Sequence, residues 1–150
     1  MSKSMDFHLT LAEPWLSQNQ LDRLKSGPGN RWKYRQHMNR LSAEVARGVE
    51  QVGFTGCFVE LEMFALRLSV GVLDVQNAQG GLKALQDVLV MPSRVNPYGL
   101  GIIVGDDPAV LKNVIIDQRK LKAKNRGHSR SEITLVGLAR ERSEMLPESR

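Results

Sequence analysis

Phe7, Leu9 and Leu11 alternate with polar neighbours, the two-residue period of a strand buried on one face, and Pro14 closes that strand. Loop chemistry follows through Pro14-Trp15-Leu16-Ser17-Gln18-Asn19, and Ser26-Gly27-Pro28-Gly29-Asn30 breaks the chain again. Tyr34, Met38, Leu41, Val45 and Val49 then recur at helical spacing toward Gly53, predicting an amphipathic helix with a basic outer face. From Phe54 to Val72 the residues are aliphatic, aromatic or β-branched with few breaks, which predicts one long strand, or two joined by a bulge, that delivers Asp74 at its end.

A second helix is expected from about Gln76 to Val90, with Asp74 near its N-cap and Leu82, Leu85 and Leu89 on its buried face. Another face carries Asn77, Gly80, Gly81, Ala84 and Asp87. Two glycines inside a helix each cost roughly 1 kcal/mol relative to alanine, so their presence predicts a close approach there. Lys83 and Asp87 stand four apart, within reach of an ion pair. Pro92, Asn96, Pro97 and Gly99 make Met91 to Leu100 a loop, Gly101 to Val104 is apolar, and Gly105-Asp106-Asp107-Pro108 is a turn.

Val110 to Ile116 reads as a strand and the stretch around Ile133 and Leu135 as a final one, leaving Arg119 to Arg130 as a hairpin connection. In it Lys120, Lys122, Lys124, Arg126, His128 and Arg130 hold even positions, and in an extended ribbon alternate side chains share a face. The expected fold is a single α/β (α+β) domain, a small mixed sheet with two main helices in the order β-α-β-α-β-β. Its ordered core runs over about 6–140, and 141–150 is expected to be a frayed polar tail.

Charge sharpens this picture. The net charge is +5, but it is distributed by segment: seven bases face three acids over 15–50, three face six over 54–110, and seven face one over 111–130. Basic flanks around an acidic centre suit a protein that holds a polyanion while presenting carboxylates to it. Asp74, Asp106 and Asp107 in a basic chain predict a bound divalent cation, because clustered carboxylates repel unless a cation settles among them. The lone Cys57 has no CxxC or Cys/His spacing near it, which argues against a disulfide framework or a zinc knuckle. The N-terminal residues lack the apolar core of a signal peptide, and no apolar run reaches the about 18 residues of a membrane span, so a cytoplasmic protein is expected. His8, His37 and His128 are isolated and read as surface residues, while Trp15 and Trp32 flank basic residues as candidates for base stacking.

The order of these features resembles the RusA-type Holliday junction resolvase family of phages and prophages. The resemblance covers most of the chain. It rests on the opening strand with its early proline and Ser/Asn turn, a basic helix, and Asp74-x-x-Asn77-x5-Lys83-x3-Asp87-x-Leu89-Val90, followed by Asp106-Asp107 before a strand. It implies a homodimer that cleaves four-way or related branched DNA with Mg²⁺, for which Mn²⁺ can substitute. Asp74, Lys83 and Asp107 would be catalytic, Asp74, Asp106 and Asp107 the metal ligands, and Asn77 and Asp87 supporting residues. DNA contacts are expected from Lys120, Lys122, Lys124, Arg126, Arg130, Arg31, Lys33 and Arg35. Gln76 stands where the better-known pattern has a second aspartate, so the alternative expectation is a member that binds branched DNA without cutting it.

Overall fold

The structure, a computed structural model, describes residues 1–145. It is a mixed α+β fold in which β1 (Lys3–Leu11), β2 (Gly56–Ser69), β3 (Leu111–Lys120) and β4 (Arg130–Glu141) form one sheet in the order β1-β4-β2-β3. Helices α1 (Gln18–Lys25), α2 (Asn30–Val52) and α3 (Val75–Leu89) accompany it. Phe7, Leu9 and Leu11 point inward from β1 as their alternation requires. Leu82, Leu85 and Leu89 are buried from α3, each worth about 2 kcal/mol by area. Phe54 stacks between Phe7 and Phe58 with ring centroids 5.2 Å and 5.1 Å away, tying β1 to β2 across the core.

α1 departs from the expected loop. Ser17 caps it: its Oγ accepts from the Gln20 amide at 3.0 Å, and Gln20 Oε1 accepts from the Ser17 amide at 2.9 Å. This reciprocal pair is a capping box, and the Ser-x-x-Gln spacing was present in the sequence. The observed order is therefore β-α-α-β-α-β-β.

The hairpin expected over Arg119 to Arg130 is not formed. β3 runs parallel to β2 while β4 runs antiparallel to β2 on its other side, so β3 and β4 are not neighbours and their connection crosses the end of β2. Arg119 and Lys120 belong to β3 itself, and Ala123–His128 is a 3-10 turn. The even-numbered bases thus do not share one extended ribbon; a turn with about three residues per revolution rotates Lys124, Arg126 and His128 away from strand geometry. Past Glu141 the expected tail begins with a second 3-10 turn, Arg142–Met145, and the remainder of the tail lies outside the described residues. Among the described residues no helix is long and apolar enough to cross a membrane.

Candidate functional site

The candidate residues fall at the two ends of α3. At its N-terminus Asp74 is the N-cap: Oδ1 accepts from the Asn77 amide at 2.9 Å and Oδ2 from Asn77 Nδ2 at 2.8 Å. These bonds from Asn77 hold the exposed Asp74 carboxyl below its ordinary pKa. Asn77 Oδ1 in turn accepts from the Asn19 amide at 3.0 Å, joining α3 to the first turn of α1.

Gly80 and Gly81 explain how the helices come so close. A Cβ on Gly81 would overlap the Leu16 carbonyl oxygen, and one on Gly80 would overlap the Gln18 side chain. Trp15 locks the same segment, donating from Nε1 to the Ala78 carbonyl at 3.0 Å while its own amide donates to Ser131 Oγ at 2.8 Å. Arg67, 7% exposed, donates from Nε to the Trp15 carbonyl at 2.8 Å and from a terminal nitrogen to the Gly71 carbonyl at 2.9 Å. Trp15 is therefore a core residue, which removes it as a stacking surface, whereas Trp32 is 61% exposed on α2.

At the other end of α3 stands Asp87, half-buried, with Asp106 near enough for its charge to be felt. Burial first, and Asp106 second, push the Asp87 carboxyl above its usual range, while Lys83 and Lys25 pull it back. Among the described residues Lys83 and Asp87 form no ion pair, so Lys83 remains an exposed ammonium one turn away. Lys25 Nζ lies 4.8 Å from the centre of the Tyr34 ring. Burial, then the Asp87 charge, raise the Tyr34 phenol, so it stays protonated at neutral pH. Asn96 Nδ2 donates to the Asp87 carbonyl at 2.7 Å and pins the loop after α3. Asp107 is exposed and shapes the turn before β3, accepting from the Ala109 amide at 2.9 Å.

The three expected metal ligands are not brought together within one chain. From Asp74 to Asp87 α3 rises about 20 Å at 1.5 Å per residue. The sheet agrees: Asp107 precedes the level where Leu111 pairs with Leu61, whereas Leu73, next to Asp74, bonds to Gln118 at the level of Arg67, a separation of about 20 Å along β2. Among the described residues no group of three His, Cys, Asp or Glu side chains is placed to hold a metal ion. Asp87, expected as a supporting residue, is the one whose carboxyl feels the Asp106 charge. Lys25 and Tyr34 were not anticipated at this site, because only the fold carries the end of α1 and the start of α2 to it.

The basic residues divide in the same way. Arg31, Lys33 and Arg35 are exposed on the first turns of α2, beside Tyr34. Lys120, Lys122, Lys124 and Arg126 are exposed at the Asp74 end, where Leu121 bonds to Ser69 and Gln118 bonds to Leu73. Arg130 is half-buried and lies 3.6 Å from Glu132. His8 sits on the sheet with Nδ1 2.8 Å from Thr134 Oγ1, His37 is half-buried on α2, and His128 is exposed. No sequence model of a known protein family matches this chain, and no curated protein matches it.

Proposed function

We propose that this chain is a Mg²⁺-dependent endonuclease that acts as a homodimer on four-way or related branched DNA. The reading is carried by the half-buried Asp87, whose carboxyl feels the Asp106 charge, beside Lys83, Lys25 and Tyr34 and next to the exposed bases of α2. Two carboxylates suffice for Mg²⁺, which takes one or two protein oxygens and completes its shell with water and substrate phosphate. The donor set fits the ion: both ligands are hard oxygens, and the strain on Asp87, from burial and a like charge, is of the kind a divalent cation relieves. When bound, the cation would supply a Lewis acid and a more acidic water.

The remaining roles belong to the chain. Lys83 presents an ammonium to the scissile phosphate, where it stabilises growing negative charge. Tyr34, held as a neutral phenol, is a hydrogen-bond donor to the same phosphate. Asp107 serves by fixing the turn that carries Asp106, and Asp74 by clamping α1, whose far end bears Lys25. The two basic surfaces at opposite ends of α3 suit a substrate whose arms diverge, because each can take the phosphates of a different duplex. DNA as substrate also implies a cytoplasmic protein.

A second reading, a branched-DNA-binding protein without cleavage, is favoured by the distance between Asp74 and Asp107. The deciding experiment offers a labelled four-way junction and a matched duplex in Mg²⁺, Mn²⁺ or EDTA, reading products and gel shifts together. Paired, metal-dependent nicks in the junction, lost in Asp106→Asn and Asp87→Asn with binding retained, support the endonuclease. A junction-specific shift without nicks in either metal supports the second reading, and equal binding of junction and duplex refutes both.

A further inference from the structure

Among the described residues the outer edge of β3 is unpaired, although β3 is ten residues long and contains no proline. Among those residues its only sheet partner is β2. The Leu121 amide donates to the Ser69 carbonyl at 2.8 Å, which turns the odd-numbered residues of this strand toward β2. Val114, Ile116 and Lys120 therefore direct their amides and carbonyls away from the sheet. Native proteins blunt such edges with proline, bulges, short length or central charge, because a bare edge templates another strand. Here the middle of the edge is Val114-Ile115-Ile116, with Ile115 46% exposed. Beside it Val75, 69% exposed at the start of α3, lines a groove with Ala78, Gln79, Val114, Ile116 and Gln118.

We propose that β3 pairs antiparallel with β3 of a second copy, about a two-fold axis at Ile115, making one continuous eight-stranded sheet. Complementarity selects both the occupant and the register. A two-fold axis normal to the sheet matches residues of like parity. Centring it on Ile115 sets Ile115 against Ile115, Val114 against Ile116, Asn113 against Asp117 and Lys112 against Gln118, with no like charges opposed. Centring it on Ile116 would oppose Lys112 and Lys120 twice, and centring it on Val114 would set Lys112 against Ile116 and Leu111 against Asp117. In the Ile115 register the Val114 and Ile116 amides and carbonyls bond across the axis, and each Val75 is carried toward the partner's groove. The contact gives a surface to the homodimer proposed above and rests on that reading for its purpose. It is tested by mass and cross-linking, so it and the nuclease reading fail separately.

Ile115 becomes a non-hydrogen-bonded pair with its symmetry mate, where Cα atoms lie about 4.5 Å apart, within disulfide range. Ile115→Cys under mild oxidation should run as a dimer on a non-reducing gel and revert with thiol; Cys57 is buried and does not compete. By light scattering the wild-type chain should weigh twice 16.8 kDa. Ile115→Lys, which opposes two charges on an exposed position, should halve that mass with an unchanged circular dichroism spectrum. Val136→Lys, equally exposed on the sheet face but away from the edge, should remain dimeric. A monomeric wild type at about 100 µM, the failure of Ile115→Cys to cross-link, or a dimer broken by Val136→Lys and not by Ile115→Lys would each overturn the proposal.

Discussion

Gly81→Ala tests the packing on which the candidate site depends. Inside a helix the change should stabilise by about 1 kcal/mol, because glycine loses more backbone entropy than alanine. Here the new Cβ would overlap the Leu16 carbonyl oxygen and lie 2.9 Å from the Leu16 carbonyl carbon and 3.2 Å from that of Ser17. These are backbone atoms, so no rotamer relieves the clash, and α1 must withdraw from α3. Overpacking costs about 1–3 kcal/mol. The withdrawal also threatens the Trp15 to Ala78 and Asn19 to Asn77 hydrogen bonds, worth about 1 kcal/mol each. Against the propensity gain the net loss is about 2–4 kcal/mol. For a chain of 150 residues at about 2–4 °C per kcal/mol, that is a fall of roughly 4–16 °C in melting temperature by circular dichroism. Gly127→Ala is the control: nothing lies within 4 Å of its Cβ, so stability should change by less than about 0.5 kcal/mol. A Gly81→Ala protein that melts at or above wild type would refute the close seating of α1 on α3, and with it the placement of Asn19 on Asn77.

Other outcomes follow from the same geometry. Because the folded-state pKa of Asp87 is raised above the unfolded value of 3.8, its charge costs stability that is absent below that value and accrues as pH rises through the folded pKa. Asp87→Asn should therefore melt higher than wild type at pH 7 in EDTA and equal it near pH 3, and a lower melt at pH 7 would contradict the assignment. Mg²⁺ at about ten times its dissociation constant should add about 1.4 kcal/mol, a rise of roughly 3–6 °C that Asp106→Asn removes; a rise of equal size in that variant would place the ion elsewhere. Replacing Lys120, Lys122 and Lys124 by alanine should flatten the slope of log affinity for duplex DNA against log salt by up to about 2.7. An unchanged slope would take phosphate off that surface.

Local pattern was enough for the long elements. The period of Tyr34, Met38, Leu41, Val45 and Val49 became α2, and the run after Phe54 became β2 with its bulge between Phe58 and Glu60. The adjacent glycines of α3 met the close approach that their cost implied. What failed was long-range order. Nothing local in Arg119 to Arg130 tells whether the next strand pairs with β3 or passes beyond β2, and the hairpin expectation took the shorter path. The carboxylates failed in a similar way, because Asp74 and Asp107 belong together only if α3 is ignored as a spacer. Asp87 and Lys25 lie 62 residues apart in sequence, so the fold alone makes them neighbours. The capping box at Ser17 was a missed local signal.

The position of β4 governs how this chain can fold. Of the four described strands it is the last to leave the ribosome, yet it fills the slot between β1 and β2. Until Arg130–Glu141 is available only the β2–β3 pair can form, and β1, whose nine residues all pair with β4, has no strand to bind. Closing the sheet then joins positions more than a hundred residues apart, the kind of topology that folds slowly. A chain interrupted before β4 would expose the inward faces of both β1 and β2, which makes the emergence of β4 the commitment step for the sheet.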